Sequence, residues 1–143
     1  MGGVMQQALT SFAIRTDGRR LYEITPVVAQ WVAESGVSDG LLTLLCRHTS
    51  ASLLINENAA SAVQRDLLRW LERVAPDGTG YEHDSEGPDD MPAHIRAMVT
   101  GVNLSIPVSG RRMMLGTWQG IYLVEHRLAP HRREVAAHIF GEG

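Results

Sequence analysis

The chain has 143 residues, 44% of them hydrophobic and 20% charged, with a formal net charge of −3. That length and mix suit one globular domain, exclude an intrinsically disordered chain, and argue against a general nucleic-acid binder, which would carry a basic surplus. A single cysteine, Cys46, excludes an intrachain disulfide and a cysteine-based zinc site, and because all thirteen basic residues are arginine there is no lysine for a Schiff base or a phosphate loop.

In chain order, residues 5–16 and 20–25 read as two strands joined at Asp17-Gly18, a hairpin signal. A short helix follows, with Thr25 as its cap, Pro26 in its first turn and Gly36 at its end. Val27, Val28, Trp31 and Val32 fall on the face expected to pack on a sheet. Residues 40–48 form a near-continuous apolar run, expected to be a central strand covered on both faces, and residues 50–56 give another strand. The strongest helical pattern covers 58–74: Val63, Leu67, Leu68, Trp70, Leu71 and Val74 share one stripe, and Gln64, Arg65, Arg69, Glu72 and Arg73 the other. Pro76 and Gly78 stop it. Residues 75–90 form an acidic loop without periodicity, and an ordered loop of that length in a small domain points to function. A third helix is expected from about Met91 to Thr100, closed by Gly101, with Ile95, Met98 and Val99 inward. The last third reads as β. Val102, Leu104, Ile106 and Val108 alternate, Pro107 marks an edge or a strand end, Gly110-Arg111-Arg112 is a turn, and strands follow over 113–116, 119–127 and 133–140. Seven to eight strands and three helices, without strict alternation, imply an α+β fold of mostly antiparallel β-sheets in one domain over residues 1–143, the first few residues disordered.

No signal-peptide pattern and no membrane-length apolar stretch is expected, and Met1-Gly2 lacks a myristoylation signal because Gln6 stands where Ser or Thr is required. With Cys46 expected as a buried, reduced thiol, the implied location is the cytoplasm.

Six histidines are present: His48, His83, His94, His126, His131 and His138. No two have the i, i+4 spacing of a helical zinc motif, but position is informative. His48 ends a central strand, His83 lies in the acidic loop and His94 sits in the first turn of the third helix, so all three can converge at one end of the sheet. A three-histidine site that leaves one metal position open would be catalytic in style; the alternative is three ordinary hydrogen-bonding side chains. Glu125 shares a strand face with Ile121 and Leu123, which is costly for an acid unless paired, so it is either salt-bridged to an arginine or part of a site. His126 lies on the opposite face and reads as structural. Asn56-Glu57-Asn58 stands where a strand meets a helix; Asn58 can cap that helix, and the helix start can also hold an anion. Asp89-Asp90 before the third helix is either a cap or a Mg²⁺ site. Arg111, Arg112, Arg127, Arg132 and Arg133 are either solvated strand ends or the wall of an anion pocket.

Three runs, RHTSASLLINENA (47–59), YEHDSEGPDDMPAHI (81–95) and LGTWQGIYLVEHR (115–127), together closely resemble the YjbQ family, some of whose members are described as secondary thiamine-phosphate synthases. The resemblance extends from about residue 8 to 140. It implies a compact α+β fold on large sheets, assembled as a homotrimer, with the family's histidines at His48, His83 and His94 and its strand-end acid at Glu125. Polar motif residues also match at Thr49, Ser50, Ser52, Asn56, Glu57, Asn58, Gly116, Thr117, Trp118 and Gln119. The chain departs from the family pattern at Ala60 and Ala62, where relatives carry acids, and at Arg111, where glycine is common. The implied reaction joins a pyrimidine diphosphate to a thiazole phosphate with release of diphosphate, as a secondary activity beside a main role that the family name does not state. The site implied has His48, His83 and His94 on a divalent metal ion (Mg or Zn), with Glu125 and His48 in catalysis. Arg47, Thr49, Ser50, Asn56, Glu57, Asn58, Trp118, Gln119 and Arg127 would then bind a small phosphorylated molecule. The alternative is a non-catalytic trimer that binds a metal or a small anion; neither nucleic acid nor membrane is expected as a partner.

Overall fold

The computed structural model describes residues 3–143. Positions 1 and 2, on which the expected N-terminal disorder and the Met1-Gly2 reading fall, lie outside the described residues. In chain order the elements are β1 (Met5–Thr16), β2 (Leu21–Glu23), α1 (Thr25–Glu34), β3 (Asp39–Cys46), β4 (Ala51–Glu57), α2 (Ser61–Val74), α3 (Asp90–Thr100), β5 (Asn103–Ser109), β6 (Arg112–Met113), β7 (Gln119–Glu125) and β8 (His131–Glu142). They form a five-stranded sheet in the order β1-β8-β3-β5-β6 and a three-stranded sheet in the order β2-β7-β4. Every pairing is antiparallel, so the α+β expectation holds.

The expected hairpin of the first two strands does not form. β1 pairs with β8 from Met5↔Glu142 to Thr16↔His131, whereas β2 pairs with β7 in the other sheet. The chain does turn at Gly18 (φ 138°), but the Tyr22 hydroxyl donates to Asp17 and the two strands part to separate sheets. The hairpin that does form is β5–β6. Ser109 pairs with Arg112 across Gly110 (φ 59°) and Arg111 (φ 66°), the two positive-φ positions of a tight two-residue turn.

The inner face of the large sheet, with Phe12, Leu42, Leu44, Ile106, Val135 and Ile139, packs against α1 and the inner face of the small sheet in one core. Full burial of such side chains contributes about 1.5–3 kcal/mol each before entropy is counted. The small sheet is covered on both sides. Ile121 and Leu123 of β7 face the large sheet, while Tyr122 and Val124 face Leu67 and Leu68 of α2. Two sequence expectations are corrected here. β3 is the middle strand of five, yet only Leu42, Leu44 and Cys46 are buried, and Leu41 and Leu45 are 47% and 44% exposed. In α3 the buried side chains include Ala93, Arg96 and Ala97, whereas Met98 and Val99 are exposed. The helix is turned by Arg96, whose guanidinium donates from Nε and Nη2 to the Ala75 carbonyl and so goes inside despite its charge.

α1 starts at Thr25, one residue before the expected start at Pro26, so Thr25 lies inside the helix and its hydroxyl does not cap it. It donates to Glu23 and accepts the Ile121 amide, tying the helix start to β7. α2 is likewise not capped by Asn58: Glu57 Oε2 accepts the amides of Ala59 and Ala60 instead.

Candidate functional site

The antiparallel pairing of β4 with β7 brings residue 51 opposite 125 and residue 57 opposite 119, so the motif residues divide between the two ends of the small sheet. Six residue steps of strand separate these ends by roughly 20 Å. At one end stand His48, Thr49, Ser50, Glu125 and Arg127; at the other stand Asn56, Glu57, Asn58, Trp118 and Gln119. The second group is occupied in building its own corner. Asn58 donates to Glu23, its amide donates to the Trp118 carbonyl, Gln119 Oε1 accepts the Gly116 amide, and Asn56 accepts the Glu57 amide. The Trp118 ring is exposed.

At the first end, α3 sets Asp90 and His94 one turn apart on the same face, and the acidic loop folds back to bring in His83. His83 Nε2 lies 2.7 Å and His94 Nε2 3.2 Å from the same oxygen, Asp90 Oδ2. One ligand atom from each of these residues falls within 4.8 Å of the other two. The two imidazole rings lie 5.5 Å apart between centroids, and Glu86 stands 3.3 Å from His83 Nε2. The Asp90 side chain is 4% exposed and those of His83 and His94 are 43% and 31% exposed, so the group has a buried carboxylate base and an open top.

The tautomer of His94 tests whether a cation fits. Its Nδ1 lies 2.9 Å from the Thr49 carbonyl, which only accepts, so Nδ1 carries the hydrogen. In the neutral ring Nε2 then presents a lone pair to a carboxylate oxygen. That contact is repulsive unless a proton or a metal ion sits between them. A carbonyl on the far nitrogen is also the arrangement that orients metal-binding histidines. Two imidazoles and one carboxylate with an open position form a donor set suited to zinc.

Arg127 supports the cluster rather than presenting a free cation. Its Nε donates to Asp89 (3.0 Å), Nη1 to Asp90 Oδ1 (2.7 Å) and Nη2 to the Glu86 carbonyl (2.9 Å). Burial pushes the Asp90 carboxyl up, but the hydrogen bond from His83 and the charges of His94 and Arg127 outweigh it and hold its pKa below the usual carboxylate range. Asp89 is lowered in the same way: burial opposes, and the Leu128 amide and Arg127 prevail. Asp90 is the member of this cluster that histidine spacing could not reveal, although the Asp90–His94 interval of four within a helix was its signal.

The other motif residues at this end have different partners. His48 is half-buried and stands outside the His83–Asp90–His94 group; its Nε2 accepts the Glu134 amide at 2.8 Å. Glu125 is fully buried and takes the salt-bridged alternative. It accepts from Arg133 Nε (2.8 Å) and Nη2, from the Thr16 hydroxyl (2.6 Å) and from the Arg127 amide. Burial opposes ionisation of Glu125, but these donors outweigh it and keep its pKa low. Ser50 joins the same network through Arg133, and Arg47 is exposed, 3.4 Å from Glu134. Behind this end, on the other face of β7, His126 Nε2 meets the Ser52 hydroxyl at 2.8 Å, with both residues buried.

The residues 10–142 match the family model described as UPF0047 protein YjbQ-like. A UPF0047 protein of Synechocystis is 48% identical over 130 residues, covering 90% of this chain and 88% of the relative. The YjbQ protein of Salmonella typhimurium is 51% identical over 106 residues, 74% of this chain and 77% of the relative. Among solved structures, a YjbQ/UPF0047 family protein of Clostridium acetobutylicum is 39% identical with a TM-score of 0.84, covering 91% of this chain and 98% of that one. A protein of Aeropyrum pernix gives a TM-score of 0.87 at 30% identity, over 94% of this chain and 99% of that one. With sequence and fold matched over nearly the whole length, the chain belongs to the YjbQ (UPF0047) family.

Proposed function

We propose that the protein holds a divalent metal ion on His83, Asp90 and His94 and acts on a small phosphorylated molecule, with thiamine-phosphate synthase chemistry as a secondary activity. The observation that carries this is the convergence of two imidazole Nε2 atoms on one buried carboxylate oxygen, with Nδ1 of His94 committed to the Thr49 carbonyl so that Nε2 is the atom left for a metal ion. The nitrogen-rich donor set favours zinc over magnesium, which prefers oxygen and water. A bound metal ion supplies Lewis-acid stabilisation of the charge on a departing diphosphate. The chain's own residues orient the rest: Arg127 holds Asp89 and Asp90, Thr49 holds His94, and exposed Arg47, 3.4 Å from Glu134, would have to leave that partner to meet a phosphate.

The test is a titration of chelator-stripped protein with Zn²⁺ and Mg²⁺ by calorimetry, followed by incubation with the pyrimidine diphosphate and thiazole phosphate. One zinc per chain is expected, and His94→Ala should weaken it by at least about tenfold, the lower bound found even for outer partners of a metal site. A non-catalytic metal- or anion-binding protein is the second reading. It is favoured by the full commitment of Glu125 to Arg133 and Thr16, which leaves that acid no free lone pair for a substrate proton. Zinc binding without turnover would decide for it.

For the assembly we infer a homotrimer joined through the outer face of the large sheet, where Leu9 is 76% exposed beside Leu41, Leu45 and Phe140. Among the described residues no helix is long and apolar enough to cross a membrane. The buried free thiol of Cys46, its pKa raised by burial, supports a reducing, cytoplasmic location.

A further inference from the structure

A groove of about 530 Å³ opens beside the cluster, lined by His48, Thr49, His94, Met98, Val102 and Asn103 among others, with no acid in its walls. His48 enters it in a fixed state. The Glu134 backbone amide can only donate, so the Nε2 it contacts must be a lone pair and the ring's proton must sit on Nδ1. An imidazolium would set two N–H groups against each other. Burial, then the charge of Arg133, hold the His48 pKa below its ordinary value, which keeps the ring neutral at pH 7. Among the described residues no hydrogen bond uses Nδ1, and that atom is not among the buried polar atoms without partners, so it is open to solvent. His48, Thr49 and Asn103, which line the groove, carry between them an imidazole N–H, a hydroxyl and an amide.

We propose that His48 is a ligand-binding donor rather than a metal ligand: its Nδ1–H hydrogen-bonds a phosphate oxygen of a molecule lying in the groove beside His94. This rests on the reading of the neighbouring cluster as the site for a small phosphorylated molecule. Because the donor is neutral and its tautomer is imposed by the Glu134 amide, the contact persists across the pH range in which an ordinary histidine loses its charge. Because Nε2 is already occupied, His48 has no lone pair left for a metal, and the metal-binding trio is completed by Asp90.

The test uses the full chain with inorganic phosphate and diphosphate as probes, with and without zinc. Long-range ¹H–¹⁵N spectra should show His48 as the Nδ1–H tautomer, and phosphate should shift its Nδ1 resonance. His48→Met removes every side-chain donor at this position, whereas His48→Gln keeps an acceptor for the Glu134 amide, with Oε1 standing where Nε2 was, and carries its N–H donors away from the Nδ1 position. Both should fold, bind zinc as the wild type does, and lose phosphate affinity about tenfold or more, the usual cost of a hydrogen bond to a charged group. An Nε2–H tautomer, or phosphate affinity in His48→Met equal to wild type, would overturn the proposal, as would a wild type that binds neither probe. Failure to bind zinc while phosphate still shifts His48 would sink the metal reading and leave this one standing.

Discussion

Two buried carboxylates show how the same residue type is put to different uses. Glu125 has every oxygen taken by fixed donors, a guanidinium, a hydroxyl and an amide, so it locks β7 to β8 and has nothing to exchange. Asp90 gives one oxygen to Arg127 and leaves the other to two histidines, groups that can release it to a cation. His126 is the opposite case, a ring kept neutral. Burial, and then the charge of Arg96, lower its pKa from 6.5 to about 3. Between those values the unfolded chain takes up a proton that the folded ring refuses, so stability is full above the ordinary histidine value and falls as pH falls. The slope is up to about 1.4 kcal/mol per pH unit. His48, also lowered, acts in the same direction. The lowered carboxylates lose their contributions only below the ordinary carboxylate range near pH 4. Urea midpoints should therefore drop from pH 7 to pH 5, and His126→Gln, which keeps a partner for Ser52 but cannot titrate, should flatten much of that drop. A wild-type midpoint unchanged over this range would contradict the assignment.

Among the elements, α2 was legible because its apolar stripe repeats over almost four turns, while α3 was misread for a physical reason. A binary pattern puts arginine outside, and Arg96 goes inside because a carbonyl 21 residues earlier accepts two of its N–H groups. Such a partner has no local signature. The site divides in the same way. His83 and His94 stand out by type and position, but Asp90 reads with Asp89 as either a helix cap or a Mg²⁺ site and not as a partner of the histidines, and the neutral role of His48 depends on an amide 86 residues away. The family motif at the far end of β4 makes hydrogen bonds within its own corner, and its boundary with α2 gives a direct test. Glu57 accepts two otherwise unpaired amides at the start of α2. Glu57→Ala should cost about 0.5–1.5 kcal/mol in urea unfolding, the net worth of an ordinary hydrogen bond. Because roughly 20 Å of strand separates it from the histidines, zinc affinity should not change. A loss of zinc binding in that variant would mean that the two ends of the small sheet act as one site.

At the scale of the molecule, the apolar run of β3 sets an imbalance that one chain does not resolve. A strand rich in leucine on both faces is ordinarily covered on both. Here α1 and the small sheet cover one face, while the other presents Leu41 and Leu45 beside Phe140 and Leu9 of the neighbouring strands. Exposed apolar side chains grouped on one sheet face, here with His138 and Thr43 between Leu9 and the β3 leucines, suit an interface, and a ring of identical chains covers it without leaving a free end. The same face runs into the groove, because Leu45 pairs with Asn103, which lines the groove beside His48. Assembly would bring a neighbouring chain to its rim. Leu9→Glu and Phe140→Glu each place a charge in that face without touching the core. Light scattering should show the mass of three chains for the wild type and of one for the double variant, with the circular dichroism spectrum preserved. Phosphate affinity should fall on dissociation while zinc affinity holds, since His83, Asp90 and His94 all come from one chain. A double variant that remains trimeric would move the interface to another face. A wild type that runs as a single chain would leave the outer leucines of β3 without a role in assembly.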